Sequence, residues 1–233
     1  MPHPALRATP LALALALALS PAAHAADPAP PRKPAELDKV EVVGKADAYV
    51  ATESSTATKT PTPLRDTPQS ITVVTQQLIR DQAMSNMADV VRYVPGVTMA
   101  QGEGNRDTPV LRGNSSTSDL YVDGMRDDVQ YLRDLYNIDR VEALKGPNAM
   151  IFGRGGSGGV LNRVSKQADF ATVRGFDLTW GSNSRGRAVA DWGQALGEDF
   201  SFRINALSED TGSYRDDVSY SRHGFNPTLA WRA

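Results

Sequence analysis

The fold is decided by Phe200-Ser201-Phe202-Arg203-Ile204-Asn205-Ala206-Leu207. The even-numbered side chains of this stretch are apolar and the odd-numbered ones as far as Asn205 are polar, which is the two-residue period of a β-strand with unlike faces. The same alternation recurs in residues 175–181, 187–193 and 225–232. Aromatic side chains stand on the apolar face and charged ones on the other, which indicates successive antiparallel strands of a transmembrane β-barrel. The alternative is a soluble β-meander whose apolar face covers a core.

The pattern of residues 60–168 predicts a compact α+β domain that precedes those strands in the chain. Residues 71–75 are β-branched, as in a strand, and residues 76–82 and 86–93 have helical spacing. The second helix is expected to end at Pro95-Gly96 and to carry four apolar side chains on one face. These four are Met87, Val90, Val91 and Val94. Short strands separated by turn residues are predicted at residues 97–100, 109–113, 120–123, 140–145 and 159–165.

Residues 1–25 predict a cleaved signal peptide. His3 and Arg7 precede the apolar run of residues 11–19, and small side chains at Ala23 and Ala25 favour cleavage after Ala25. The run covers roughly half of the ~20 residues that a membrane-spanning helix needs. Residues 26–59 are then expected to form a flexible arm, which begins with a proline-rich stretch.

The composition excludes several kinds of chemistry. The chain has no cysteine, which removes disulfides, thiol nucleophiles and thiolate metal sites. Of the three histidines, His223 alone follows the signal peptide, which argues against histidine-based catalysis or a zinc cluster. A net charge of −2 gives no sign of nucleic-acid binding. The sequence therefore predicts no enzyme, no resident metal and no cofactor.

Two motifs that suggest ligand chemistry lack the necessary context. Residues 153–158 match the pattern G-x-G-x-x-G, but no strand–turn–helix unit surrounds them and no acidic residue follows at the dinucleotide-binding distance. Asp123, Asp127 and Asp128 suggest calcium, yet their spacing lacks the EF-hand pattern. Tight turns account for both groups.

Residues 37–44 form a short β-prone segment in the arm. Val40 and Val42 alternate with Lys39, Glu41 and Val43. A strand this short is unstable alone, so it joins the sheet of the following domain or pairs with the exposed strand edge of a partner. Periodicity leaves both possibilities open.

Seven motifs, in order along the chain, resemble those of the TonB-dependent outer-membrane receptors, and among these the siderophore receptors. The first is Asp38-Lys39-Val40-Glu41-Val42-Val43, which is similar to the TonB box. The others are residues 60–71, Tyr93-Val94-Pro95-Gly96-Val97, Leu111-Arg112-Gly113, Tyr121-Val122-Asp123-Gly124, residues 140–147 and residues 152–166, which resemble the plug domain.

This resemblance implies a fold and a function. It implies an α+β plug at residues 60–168 inside a barrel of about 22 strands, the size class with a plugged lumen. It also implies a cell-outer-membrane location and the import of a ferric siderophore, energised by the inner-membrane protein TonB, with iron carried only as part of the ligand. The alternatives are a TonB-dependent receptor for another scarce ligand, such as heme or cobalamin, and a periplasmic β-rich binding protein without a barrel.

The resemblance also implies three groups of site residues. TonB is expected to bind the six residues from Asp38 to Val43. Arg112 and Lys145 are expected to contact the barrel, although lysine lacks the fork geometry of arginine. The ligand is expected at the apical loops of the plug, where arginines supply charge and Tyr131 supplies a flat face. The expected ligand-binding residues are Gln101, Arg106, Asn114, Ser115, Gln130, Tyr131 and Arg133.

Residues 169–233 supply about four barrel strands. Four strands cannot enclose a plug, and an open sheet in lipid leaves unpaired backbone groups at its edges. The sequence is therefore expected to be the N-terminal part of a longer receptor.

Overall fold

The structure, a computed structural model, describes residues 49–100, 104–146, 149–153 and 158–232, without the side chains of residues 149 and 150. The expected signal peptide and the expected TonB box lie outside the described residues. Among the helices that the structure describes, none has the length and apolar character needed to cross a membrane.

Residues 53–165 form the α+β domain, which we call the plug. Its strands and helices are β1 (Glu53–Ser54), β2 (Thr62–Pro63), β3 (Ser70–Thr75), α1 (Gln76–Asp81), α2 (Met87–Val91), β4 (Val97–Ala100), β5 (Thr108–Leu111), β6 (Asn114–Ser115), β7 (Leu120–Val122), β8 (Met125–Arg126), β9 (Ile138–Lys145), α3 (Ala149–Phe152) and β10 (Gly159–Ser165). Single 3₁₀ turns occupy Leu64–Asp66 and Thr117–Asp119.

The largest sheet of the plug has the strand order β3-β9-β10-β7-β8. Strands β10 and β7 are parallel, and the other neighbours are antiparallel. A second sheet has the order β4-β5-β6, and β1 pairs with β2 alone. Side chains cap both main helices, because the Thr75 hydroxyl accepts from the N–H of Leu78 and the Asn86 amide oxygen accepts from the N–H of Asp89.

Helix α2 packs its apolar face into the plug core, as the sequence predicts, but the helix ends at Val91 and not at Pro95-Gly96, so that Val94 lies in the turn that follows. Met87, Val90, Val91 and Val94 are all at most 4% exposed. They form one cluster with side chains of the central strands, which include Val141 and Leu161. The core therefore lies between α2 and the large sheet.

The packed region begins upstream of Thr60, where the sequence predicts the plug to start. Residues 53–58, which we call the N-terminal strap, lie on the large sheet. Ser54 and Thr56 are buried, and Ala57 belongs to a second apolar cluster with Tyr121. The expected flexible arm is therefore already ordered against the domain at these positions.

The C-terminal part forms a four-stranded antiparallel sheet in chain order. Its strands are β11 (Val173–Gly181), β12 (Arg185–Leu196), β13 (Phe200–Gly212) and β14 (Ser219–Trp231). The predicted alternation is confirmed in β13, where the odd-numbered side chains from Ser201 to Thr211 are buried. These buried side chains face the plug, so we call this the inner face and the opposite one the outer face.

The outer face is apolar and exposed. Its exposed aromatic and leucine side chains are Phe176, Leu178, Trp180, Trp192, Leu196, Phe200, Phe225, Leu229 and Trp231. A soluble β-meander would bury such a face and expose its polar one. The observed polarity is the reverse, which is the arrangement of a sheet that meets lipid on its outer side.

Candidate functional site

Two loops at one end of the plug lie against each other. Residues 104–107 follow β4, and residues 127–133 follow β8; we call them the apical loops. The Nη1 group of Arg106 donates to Oε1 of Gln130 at 2.7 Å, and the N–H of Asp107 donates to the carbonyl of Tyr131 at 3.2 Å. The structure thus brings together three of the expected ligand-binding residues. Gln101 lies outside the described residues.

Asn114 and Ser115 form strand β6, next to β5. Both side chains are exposed. Their accessibility suits the expected ligand contact, which stays a prediction.

Arg133 holds the second apical loop together from inside. Its side chain is fully buried, although charged loop residues are usually solvated. Its Nε donates to Asp127 at 3.0 Å, and its terminal nitrogens donate to the carbonyls of Asp127, Val129 and Tyr131 at 2.7, 2.6 and 3.1 Å. The expectation that Arg133 supplies charge to a ligand does not fit this arrangement, because its donors are already used within its own loop.

Tyr131 offers a fixed aromatic surface at the edge of the apical loops. The guanidinium carbon of Arg133 lies 4.3 Å from the ring centroid, a cation–π distance. The Tyr131 hydroxyl donates to Oδ2 of Asp127 at 2.8 Å and accepts from Nη2 of Arg163 at 3.1 Å. Because 38% of the residue remains exposed, the ring is both oriented and accessible.

Two carboxylates complete this group, which we call the apical network: Asp107, Asp127, Tyr131, Arg133 and Arg163. Asp127 pairs with Arg133 and with Arg163. Oδ2 of Asp107 accepts from the N–H of Arg133 at 2.8 Å. Burial raises the pKa of the Asp107 carboxyl above its ordinary value, and the hydrogen bond and nearby arginines offset part of this increase.

Arg112 lies close to Gly146, which directly follows Lys145 at the end of β9. Arg112 is exposed in the turn between β5 and β6 with a φ of 50°. Its Nη1 would lie 3.8 Å from a Cβ on Gly146, the residue after Lys145. Within the described ranges neither forms an ion pair, so their expected barrel partners stay a prediction.

A cluster of charges joins the plug to the inner face of the sheet. The guanidinium of Arg187 donates to both carboxylate oxygens of Asp134 at 2.7 Å. Arg187 also donates to Oε2 of Glu209 at 2.6 Å, and Arg222 reaches Glu209 at 2.5 Å and Asp134 at 3.1 Å. We call these four residues the clamp. All are less than a fifth exposed, and Glu209 is fully buried.

A second charge cluster lies where the plug chain leaves for β11. Lys166 Nζ lies 3.0 Å from Oδ2 of Asp191 and donates to the carbonyl of Tyr136 at 2.9 Å. Arg203 donates to both oxygens of Asp191 at 2.9 Å. Burial lowers the pKa of Lys166, against the raising effect of Asp191. The end of the plug is thus anchored on the inner face by ion pairs.

A close steric contact accompanies the clamp. A Cβ on Gly224 of β14 would lie 2.6 Å from Cζ of Tyr136. The ring of Tyr136 therefore approaches the backbone of β14, and a side chain larger than that of glycine at position 224 would require the ring to shift. Asp134 and Tyr136 both contact the sheet, while Leu135 between them belongs to the plug core.

The sequence indicated part of these contacts. The alternation places Arg187, Asp191 and Arg203 on the polar face of the strands but names no partner for them. Asp134 lies in a loop without periodicity, and Glu209 lies beyond the stretch used to predict β13. Extending the two-residue period of β13 from Asn205 would have placed Glu209 on the inner face.

The described residues do not contain three or more His, Cys, Asp or Glu side chains placed to bind a metal ion. The carboxylates of the apical network and of the clamp are instead paired with arginines.

An α+β plug held against the polar inner face of an outward-apolar sheet is the N-terminal architecture of a plugged outer-membrane receptor. Residues 63–160 match the family model described as the TonB-dependent Receptor Plug Domain. The chain belongs to the TonB-dependent receptors.

Curated relatives extend this match to most of the chain. The probable TonB-dependent receptor BfrD of Bordetella pertussis is 39% identical over 98% of the chain and 30% of the relative. The catecholate siderophore receptor Fiu of Escherichia coli K12 is 31% identical over 83% of the chain and 26% of the relative. The chain thus spans less than a third of the length of these relatives.

Solved structures agree with the fold. The closed form of the ferric-catecholate import receptor Fiu of E. coli K12 is 31% identical with a TM-score of 0.73, covering 79% of this chain and 27% of that chain. The siderophore receptor PiuA of Acinetobacter baumannii is 30% identical with a TM-score of 0.71, covering 78% of this chain and 26% of that chain.

Proposed function

We propose that the protein carrying this chain imports a ferric siderophore across the outer membrane, energised by TonB and without covalent chemistry. The observation that carries the proposal is the continuous similarity to proteins named as siderophore receptors, which extends through the plug and into the strands. The exposed apolar outer face supports an outer-membrane location.

The apical loops are the proposed ligand-facing surface of the plug. Arg106, Gln130 and Tyr131 lie together there, and Asn114 and Ser115 are exposed on β6. An arginine, an amide and an oriented aromatic ring suit an anionic ligand with flat chelating groups. Gln101, which lies outside the described residues, stays an expected ligand-binding residue from the sequence alone.

The energy input is proposed to enter through Asp38 to Val43. An alternating segment upstream of an ordered domain suits capture by the strand edge of a partner. The first described residue after this segment already contacts the plug, because the Tyr49 hydroxyl donates to Asp81 at 2.5 Å.

The test combines a panel of ferric siderophores with one backbone change in the full-length receptor. We expect growth under iron limitation to be rescued by at least one siderophore. The Val40→Pro variant should abolish that rescue while leaving siderophore binding unchanged, because proline removes a strand donor. Ala35→Pro, which extends the proline-rich stretch upstream, is the matched control and should retain uptake.

Two outcomes would contradict the proposal. Normal uptake by the Val40→Pro variant would refute the TonB box. Rescue by heme or cobalamin and by no siderophore would refute the ligand class.

A further inference from the structure

The exposed apolar side chains of the outer face, which we call the apolar belt, run obliquely across the four strands. We call the end of the sheet that holds the turn 197–199 the basal end. On β13 the belt reaches this end at Phe200, whose ring stacks on that of Trp231 in β14 with centroids 6.1 Å apart. On β11 the belt stops at Phe176, which lies level with Ala206 of β13. Barrel strands tilted by about 35–45° give such an oblique border between the lipid chains and the headgroups.

Arg174 lies directly beyond this border on β11. It is exposed on the outer face and pairs across the strands with Trp192, which is 51% exposed. Its guanidinium carbon lies 3.9 Å from the centroid of the indole ring, a cation–π distance. Tryptophan rings are enriched at the level of the lipid headgroups. The pair therefore stands where the apolar belt gives way to the headgroup region.

Hydrogen bonds orient the guanidinium of Arg174 without neutralising it. Its Nη1 donates to the carbonyls of Val173 and Gly193 at 2.7 and 2.6 Å, and its Nη2 donates to Oε1 of Gln194 at 2.6 Å. All three acceptors are uncharged. Among the residues that the structure describes, no carboxylate forms an ion pair with Arg174, whereas Arg203 on the inner face pairs with one.

The remaining donors of Arg174 suit a phosphate group. A guanidinium has five N–H groups, so these three bonds leave the N–H of Nε and one N–H of Nη2. Arginine presents such N–H groups to phosphate oxygens in a planar fork. Toward the apolar belt the next outward side chains are Phe176 on β11 and Ala190 on β12. An occupant with a phosphate at Arg174 and apolar chains along these residues fits both surfaces.

The basal end faces the periplasm. The chain of the plug enters the sheet there at Val173, and the longest connection between the four strands, residues 213–218, lies at the opposite end. In outer-membrane barrels the periplasmic turns are short and the extracellular loops are longer. Arg174 therefore meets the periplasmic leaflet, whose lipids are glycerophospholipids.

We propose that Arg174, Trp192 and Gln194 form a binding site for the phosphate of a glycerophospholipid in the periplasmic leaflet. Trp192 and Gln194 position the guanidinium, and Arg174 binds the phosphate. The proposal depends on contact between the outer face and lipid and not on siderophore import, so its test needs neither a siderophore nor TonB.

The test measures lipid binding to the purified full-length receptor in detergent by native mass spectrometry. The two probes are phosphatidylglycerol and a diacylglycerol with the same acyl chains, which lacks the phosphate. Arg174→Gln should lower the affinity for phosphatidylglycerol about tenfold, the lower end for a lost hydrogen bond to a charged group. Its affinity for the diacylglycerol should stay the same. The matched control is Arg215→Gln at the opposite end of the sheet, where the arginine also contacts an aromatic ring; it should bind both probes like the unchanged receptor.

Two further variants keep Arg174 and change its surroundings. Gln194→Glu places a carboxylate beside Nη2, which neutralises the guanidinium and repels phosphate, so the affinity for phosphatidylglycerol should fall by a similar factor. Trp192→Leu keeps an apolar side chain but removes the ring under the guanidinium. It should lower the affinity by about threefold, as expected for an exposed cation–π contact.

Four outcomes would overturn the proposal. Unchanged phosphatidylglycerol affinity in Arg174→Gln and Gln194→Glu would refute the site, and equal losses in Arg174→Gln and Arg215→Gln would reduce it to an effect of net charge. Displacement of the lipid by inorganic phosphate alone would refute a role of the acyl chains. Tighter binding of lipid A than of phosphatidylglycerol would refute the glycerophospholipid. Siderophore uptake is measured separately, so that the lipid site and the proposed function can fail independently.

Discussion

The plug buries its apolar side chains in its interior, whereas the four-stranded sheet exposes its apolar side chains on its outer face. In the plug, Val74, Leu111 and Leu161 are at most 1% exposed. In the sheet, Trp180 and Leu229 are 75% and 82% exposed, whereas Asn205 and Glu209 on the inner face are fully buried. The plug therefore has the polarity of a domain that folds in water, and the sheet has the polarity of one whose outer face meets lipid. The contact between the two parts is consequently polar.

The largest effect is expected in the plug core. Leu161→Ala should lower the free energy of unfolding of the plug by about 2–5 kcal/mol, because it removes a fully buried side chain and leaves a cavity. Leu229→Ala, on the outer face, removes apolar surface that lipid covers but leaves no cavity, so it should cost less, about 1–2 kcal/mol. Urea-dependent hydrogen exchange of plug peptides in the full-length receptor measures the first, and vesicle-folding titrations measure the second. Equal losses of stability for Leu161→Ala and Leu229→Ala would contradict the difference between the plug core and the outer face of the sheet.

A charge on the outer face should have the next largest effect. Phe225→Arg should cost about 2–4 kcal/mol on folding into lipid vesicles, the range for arginine near the bilayer midplane. Ser221→Arg lies on the same face of β14, beyond the apolar stretch, and should cost much less. Denaturant titration of vesicle-bound receptor measures both. Equal costs for the two variants would contradict contact between the outer face and lipid.

The smallest effect concerns the contact between the two parts. Gly224→Ala should destabilise the folded receptor by about 1–3 kcal/mol, because the added methyl group would overlap the ring of Tyr136. Gly186→Ala is the control, since a Cβ there meets nothing within 4 Å. Adding Tyr136→Ala to Gly224→Ala should recover part of the loss. Thermal unfolding measured by circular dichroism gives the comparison, and a Gly224→Ala protein as stable as the control would rule out the tight contact.

The sequence predicted the elements in which periodicity and burial coincide. Strand β3, both main helices and the four long strands follow from the spacing of their apolar side chains, and α2 buries the predicted face. The N-terminal strap was missed because Ser54 and Thr56 are small and polar, and their burial depends on Glu142 and Asn162, which lie far away along the chain.

The site was less predictable because its contacts are long-range. The sequence identified Tyr131 and Arg133 as loop residues, but only the folded loop places the carbonyls that saturate Arg133. The clamp pairs Asp134 with Arg187 and Arg222, and no local pattern specifies such partners. Ion pairing between a loop and a strand depends on the tertiary fold. The alternation of charges along a strand identifies the strand residue of each pair but not its partner in the loop.

The N-terminal strap has a mechanical consequence. Hydrogen bonds hold much of it to the sheet: Ser54 donates to Glu142, the N–H of Thr56 donates to Glu142 at 3.3 Å, and Asn162 donates to the Thr56 hydroxyl at 2.8 Å. Water can replace each of these bonds at a net cost of about 1 kcal/mol, or roughly 1.5–3 kcal/mol where the carboxylate is the acceptor. A pulling force applied upstream of Tyr49 therefore breaks the hydrogen bonds of the N-terminal strap one at a time before it acts on the apolar core of the plug.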